Sequence, residues 1–237
     1  MLLNSYHQSW EDFLTVEIRE LLKNIESQIG DDFTPDSQNV LRFLKLDKNN
    51  IKVVILGQDP YHAVDKFNHK VANGRAFEPD NLLNWHQKFR QVSLKNIVRL
   101  IHKTYNDIDD YNDIWKYPDI VKAIDNHQFA LKQPPEFFDS IEKQGVLLIN
   151  TAFTTKLHLA NQHKQIWQPF TIALLKYLNN QDIYWFLWGK NSLNYAKYIE
   201  GKKIISNHPM MCSSKYTQDF LKSNCFAVTK DIINWLG

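Results

Sequence analysis

Apolar positions along the chain fall into two kinds of pattern. Residues 9–29 carry Phe13, Ile18, Leu21, Leu22 and Ile25 at helical spacing, which predicts a helix. Asp36 or Ser37 is placed to cap a second helix bearing Val40, Leu41 and Leu44. The pattern then changes. Val53-Val54-Ile55-Leu56 is a short, unbroken, mostly β-branched run ending at Gly57, as expected of a strand buried on both faces. Val146 to Ile149, Ile183 to Trp188 and Lys203 to Ser206 repeat that pattern. Helical patterns at about 93–105, 136–144, 167–180 and 191–200 lie among them, whereas 106–135 is polar and aromatic and reads as part helix.

Buried strands alternating with helices indicate a parallel sheet, because parallel neighbours need a crossover connection. The expected fold is α/β: a single domain over 1–237 with a short central parallel β-sheet of about four strands, flanked by helices on both faces. Open parallel sheets bind ligands at the carboxyl ends of their strands. Here each strand runs into a polar cluster: Gln58-Asp59-Pro60-Tyr61-His62, Asn150-Thr151, Gly189-Lys190-Asn191 and Asn207-His208-Pro209. The general polarity of loops explains one such cluster well and four only moderately.

Composition narrows the class. With 237 residues, 43% hydrophobic and 23% charged, the chain is neither disordered, collagen-like nor a coiled coil. No apolar run approaches the ~20 residues that span a bilayer, and the first residues lack the basic-then-apolar order of a secretory signal. Cys212 and Cys225 suit a reducing compartment and cannot by themselves form a four-ligand zinc site. The expected location is cytoplasmic, or nuclear in a eukaryote or its virus, with no membrane partner, metal or cofactor. A formal charge of +2 announces no partner, so any basic groove must be local. Glycine is rationed to seven positions, and Gly57, Gly74, Gly145 and Gly189 fall beside the segments of interest.

The hexapeptide GQDPYH (Gly57 to His62) resembles the water-activating loop of the family 1 uracil-DNA glycosylases, and further resemblances follow in the same order. Gly74-Arg75-Ala76-Phe77 resembles the segment that supplies a stacking phenylalanine, and Ser93-Leu94-Lys95-Asn96-Ile97 the start of the next helix. QGVLLINTAFTT (Gln144 to Thr155) and Ala160 to Lys164 with Trp167 are similar to the uracil-reading strand and its following loop. Trp188-Gly189 and His208-Pro209 resemble the glycine-serine and DNA-intercalating loops. The similarity covers roughly residues 50 to 215.

The resemblance implies a monofunctional enzyme that hydrolyses the N-glycosidic bond of uracil in DNA and leaves an abasic site. Asp59 would orient the attacking water and stabilise the sugar cation, although an Asp before Pro more often caps an Asx turn. His208 would donate, as a neutral ring, to uracil O2, and His62 would serve as a supporting residue of the site. Asn150 would read the N3–H and O4 edge, Phe77 would stack on the base, Tyr61 would crowd C5, and Gln58 would contribute a backbone or amide contact. The implied partners are uracil-containing DNA, single- or double-stranded, and an acidic DNA-mimicking inhibitor protein; the enzyme would act as a monomer.

Four departures bear on DNA handling. The stretch from Asp59 to Phe77 is longer than the family's and reads Ala63-Val64-Asp65 where Gly-Pro is usual. Glu78 replaces a small residue and is expected to repel phosphate. Residues 79–92, with only Pro79, replace a proline-rich pinching loop. The intercalation loop lacks its Ser-Pro pair and leucine wedge, leaving Met210 or Met211 to unstack bases beside Ser213, and Lys190 replaces a serine where it adds a phosphate contact. The alternative reading is a catalytically weak or inactive DNA-binding relative that keeps the fold and pocket. A different α/β enzyme, such as a nucleotide hydrolase, lacks support, since no G-x-x-x-x-G-K loop occurs.

Overall fold

The computed structural model describes residues 2–179 and 182–237. Strands β1 (Val53–Gly57), β2 (Val146–Asn150), β3 (Tyr184–Trp188) and β4 (Lys202–Ser206) pair in parallel, in the order β2-β1-β3-β4. Alternate side chains leave opposite faces of a strand, and this divides the interior in two. Val53, Ile55, Val146, Leu148, Phe186 and Trp188 enter one core, with helices α3 (Val92–Tyr105), α4 (Tyr117–Asp125) and α5 (Pro134–Lys143) and the carboxyl-terminal Phe226 and Trp235. Val54, Leu56, Leu147, Ile149, Trp185 and Leu187 enter the other, with α1 (Val16–Ile29), α2 (Ser37–Val40) and α6 (Lys164–Tyr177). The last short helix, α7 (Lys190–Leu193), follows β3 directly.

The chain leaves β1 toward β2 at one edge, then returns past it to β3. Strand order therefore reverses between β1 and β3, the place where open α/β sheets open a crevice. No described helix is long and apolar enough to cross a membrane.

The α/β expectation holds, while several elements differ locally. The helix read over 9–29 is split into a 3₁₀ turn, Gln8–Trp10, and α1. The Thr15 hydroxyl accepts from Ile18 N at 3.4 Å and starts a new helix, while Trp10, Phe13 and Leu14 are buried on their own account. The helix expected over 191–200 shrinks to α7 and a 3₁₀ turn at Ala196–Tyr198. The helix expected over 167–180 begins three residues earlier and ends at Tyr177; residue 180 lies outside the described residues. β4 is not buried on both faces. It is the sheet edge, exposed along Lys202 and Lys203, and edge lysines oppose further strand pairing. The stretch 106–135 contains α4, begun with Pro118 in its first turn.

Candidate active site

Gly57 and Asn150 are register partners at the ends of β1 and β2. A Cβ on Gly57 would overlap Asn150 Oδ1, so glycine is what lets the amide lie across the strand end. The turn beyond is fixed by two donors to the Gln58 carbonyl, Thr151 Oγ1 at 2.8 Å and Ala152 N at 3.0 Å. Asn150 is buried, yet among the described residues nothing bonds its side-chain amide. It is thus not a strand-end residue tied to its own backbone.

Asp59 accepts the Asn161 backbone N–H at 2.8 Å through Oδ2, which joins the loop after β1 to the loop before α6. Burial pushes its carboxyl above the ordinary aspartate range. The Asn161 N–H, the Gln58 amide and the charges of His62 and Lys164 draw it part of the way back. The Gln58 amide is itself engaged: Nε2 donates to Asn161 Oδ1 at 2.6 Å, and Oε1 accepts from Asn191 Nδ2. Lys164 Nζ then donates to Asn191 Oδ1 at 3.3 Å. Gln58 therefore braces two loops, through Asn161 on one side and Asn191 on the other. Asn161, which bonds both Asp59 and Gln58, received no role from sequence. Its positive φ of 63° is the one local oddity that marks it. Behind it, Trp167 Nε1 donates to Thr154 Oγ1 at 2.7 Å, and that hydroxyl meets His163 Nδ1 at 2.9 Å.

His208 stands on the β3 and β4 side. Gly189, at φ 87°, begins α7 so close to it that an added Cβ would lie 2.9 Å from His208 Cβ. Met210 N donates to His208 Nδ1 at 3.2 Å, which assigns the proton of the neutral ring to Nε2. Burial draws the His208 pKa below the ordinary histidine value, favouring that neutral form. The loop beyond is pinned at its base. Buried Asn96 donates to Pro209 O at 2.6 Å, and buried Asp219 accepts from Ser213 N at 2.6 Å and Leu221 N at 2.9 Å. Ser213 is half-buried, whereas Met210 and Met211 remain 60% and 52% exposed, and Lys190 is exposed in the first turn of α7. The Cys212 thiol, 3.3 Å from Pro209 O, is pushed up to about 12 by burial, chiefly, and by the Asp219 charge, so it stays protonated.

Phe77 lies between these groups, its ring centroid 5.4 Å from Trp188 and 6.2 Å from His208. Its backbone is left-handed, φ 67°, a conformation that costs a bulky residue about 1–3 kcal/mol and persists only where surroundings impose it. Tyr61 Oη donates to the Phe77 carbonyl at 3.1 Å, and burial first, then the Glu78 charge, raise the Tyr61 pKa. Glu78 corrects an expectation. It is buried, 2.9 Å from Arg75 Nη1, and so offers no carboxylate to a phosphate. The His62 Nδ1 is buried without a hydrogen-bond partner among the described residues. The segment 79–92 is anchored by Trp85, whose Nε1 donates to Lys132 O at 2.7 Å. Among the described residues no group of three or more His, Cys, Asp or Glu could hold a metal ion.

Gly57, Gln58, Gly189, Asn191, His208 and Met210 line a cleft of about 220 Å³ at the reversal point of the sheet. Fold and cleft together define the class, an α/β protein with a polar switch-point site. The comparisons narrow it. No family model matches the sequence. A uracil-DNA glycosylase of Francisella philomiragia is 30% identical over 96% of this chain and 99% of its own length, so the chain belongs to the uracil-DNA glycosylase family. Among solved structures, the wild-type UNG of Nitratifractor salsuginis matches with TM-score 0.70 at 19% identity, covering 98% of this chain and 92% of that one. A mimivirus UNG variant solved in complex with UGI matches with TM-score 0.65 at 24% identity, over 88% and 71%. Both likenesses concern the fold.

Proposed function

We infer that the chain excises uracil from DNA by hydrolysing its N-glycosidic bond, leaving an abasic site. The observation that carries the reading is one rim holding a half-buried carboxylate at Asp59, an imidazole with its proton on Nε2 at His208, and an unbonded amide at Asn150. As the C1′–N1 bond breaks, its electron pair passes to the base and positive charge grows at C1′. Asp59 faces the growing cation and orients the water that adds to C1′. His208 Nε2–H stabilises the growing charge on O2, and each interaction is strongest in the transition state. Phe77 stacks on the base and Tyr61 refuses the thymine methyl.

Residues 1–237 act in this reading as one monomeric domain of the cytoplasm. Lys190 and Ser213 contact phosphate, and Met210 and Met211, being exposed on a pinned loop, wedge into the stack as the uridine flips out. Single strands need less unstacking and are the preferred substrate. An acidic inhibitor protein that mimics DNA is a further partner, supported by the UGI complex of the mimivirus relative.

The test is release of uracil from a labelled oligonucleotide, followed by alkaline cleavage at abasic sites. Excision should persist in EDTA and be absent on thymine. A requirement for added divalent metal would remove the assignment. A second expectation concerns the reader. Asn150→Asp should slow uracil excision and admit some cytosine, because a carboxylate accepts from the cytosine amine where the amide presents a mismatched pattern. Unchanged uracil activity in that variant would deprive Asn150 of its role.

A further inference from the structure

We propose that a buried ion pair, Arg75 with Glu78, anchored to α5 through Asp139 and Glu142, is a clamp that positions Phe77 for stacking on the base. This rests on the excision reading above and adds positioning residues to it.

Every residue around Phe77 is tied down. Arg75 is 6% exposed and uses all its nitrogens: Nη1 to Glu78 Oε2 at 2.9 Å, Nη2 to Asp139 Oδ1 at 2.6 Å, and Nε to Glu142 Oε1 at 2.9 Å, with Nη2 also meeting Glu142 Oε2. Arg75 N donates to Asn73 Oδ1 at 3.0 Å, and Ala76 N to Leu148 O of β2 at 3.2 Å. Arg42 donates to Asn73 O at 3.2 Å and lies 3.9 Å from Glu142. The Phe77 carbonyl accepts from the Tyr61 hydroxyl and its ring packs 5.4 Å from Trp188, while its left-handed φ is what the fixed flanks impose.

A purely structural account fits less well. Replacing a buried ion pair by packed apolar residues is often neutral or stabilising, so such a pair is weak evidence for stability. Geometry is what this one supplies. A guanidinium presents its donors in a rigid planar fork, which sets direction as well as distance. The pair spans positions 75 and 78, on either side of the aromatic residue whose ring lies beside Trp188 and His208.

The test uses Arg75→Lys, which keeps the charge but loses the fork, and Glu78→Gln, which keeps the shape but loses the charge. Each is made in the full chain with 4-fluorophenylalanine at position 77. Without ligand, the parent should show one narrow ¹⁹F line and both variants a broadened or split one. Inhibition by free uracil should weaken about tenfold in each, within the range of a lost base–aromatic stack. In a Phe77→Ala background the same substitutions should cost nothing further. An unchanged ¹⁹F line, unchanged uracil inhibition, or a full additional loss beside Phe77→Ala would overturn the clamp, whatever happens to the melting temperature. Should the parent release no uracil, the excision reading fails while the ¹⁹F line still decides the clamp.

Discussion

Asp59→Asn is expected to lower kcat for uracil excision by roughly 10² to 10³, the scale of a lost transition-state stabiliser, with KM nearly unchanged. The isostere keeps an oxygen for the Asn161 N–H, so the loop joint at 2.8 Å can persist. What disappears is the negative charge facing C1′. Affinity for uracil-containing DNA should stay near the parent's, because phosphate contacts dominate it and Asp59 makes none. Stability supplies an independent check. Burial raises the Asp59 pKa, so the folded state prefers the protonated form. That preference is fully present below the unfolded pKa and is lost as pH rises through the folded one. At neutral pH the parent therefore carries the cost of a buried charge, and the Asn variant should melt no lower. Its advantage should shrink as pH falls toward the ordinary aspartate range. A variant that melts early and also loses DNA binding would show Asp59 to be a structural joint.

The strands were legible because burial on both faces leaves an unbroken apolar run, and all four end within a residue of their expected limit. β4 misled for the same reason: Ile204 and Ile205 look buried in sequence, but an edge strand has a neighbour on one side only. The split before α1 was hidden because Trp10, Phe13 and Leu14 continue a helical spacing through a segment that the Thr15 cap ends. Spacing reports which side is buried and is silent on where the hydrogen bonds restart.

At the site, the polar side chains of the rim were easier to find than the residues that hold them. Asp59, Asn150 and His208 follow strands directly, so chain order alone brings them to one rim. Asn161, Asn96 and Asp219 act across 102, 113 and 6 positions on partners that no local pattern pairs with them. Glu78 shows the opposite error. A carboxylate beside an aromatic expected to stack on a base reads as exposed until Arg75 and α5 are seen to enclose it. Sequence placed the charge correctly and could not supply its counter-ion.

His208→Leu should also reduce kcat by roughly 10² to 10³, the effect of removing one donor from a developing anion. The Met210 N–H on Nδ1 fixes the tautomer, so the donor lost is the Nε2–H aimed into the cleft. The two variants should part in their pH profiles. Burial keeps the His208 pKa below the ordinary histidine value, which favours the neutral ring. Asp59, raised by burial, must be ionised to face the sugar cation, so its titration gives an acid limb above the usual aspartate range. His208→Leu should therefore retain the limb at a lower plateau, whereas Asp59→Asn should lose it. A parent no faster than the double variant, with DNA binding equal in all, would make the chain a binding module. A limb that vanishes with His208 and survives without Asp59 would exchange the roles assigned to the two residues.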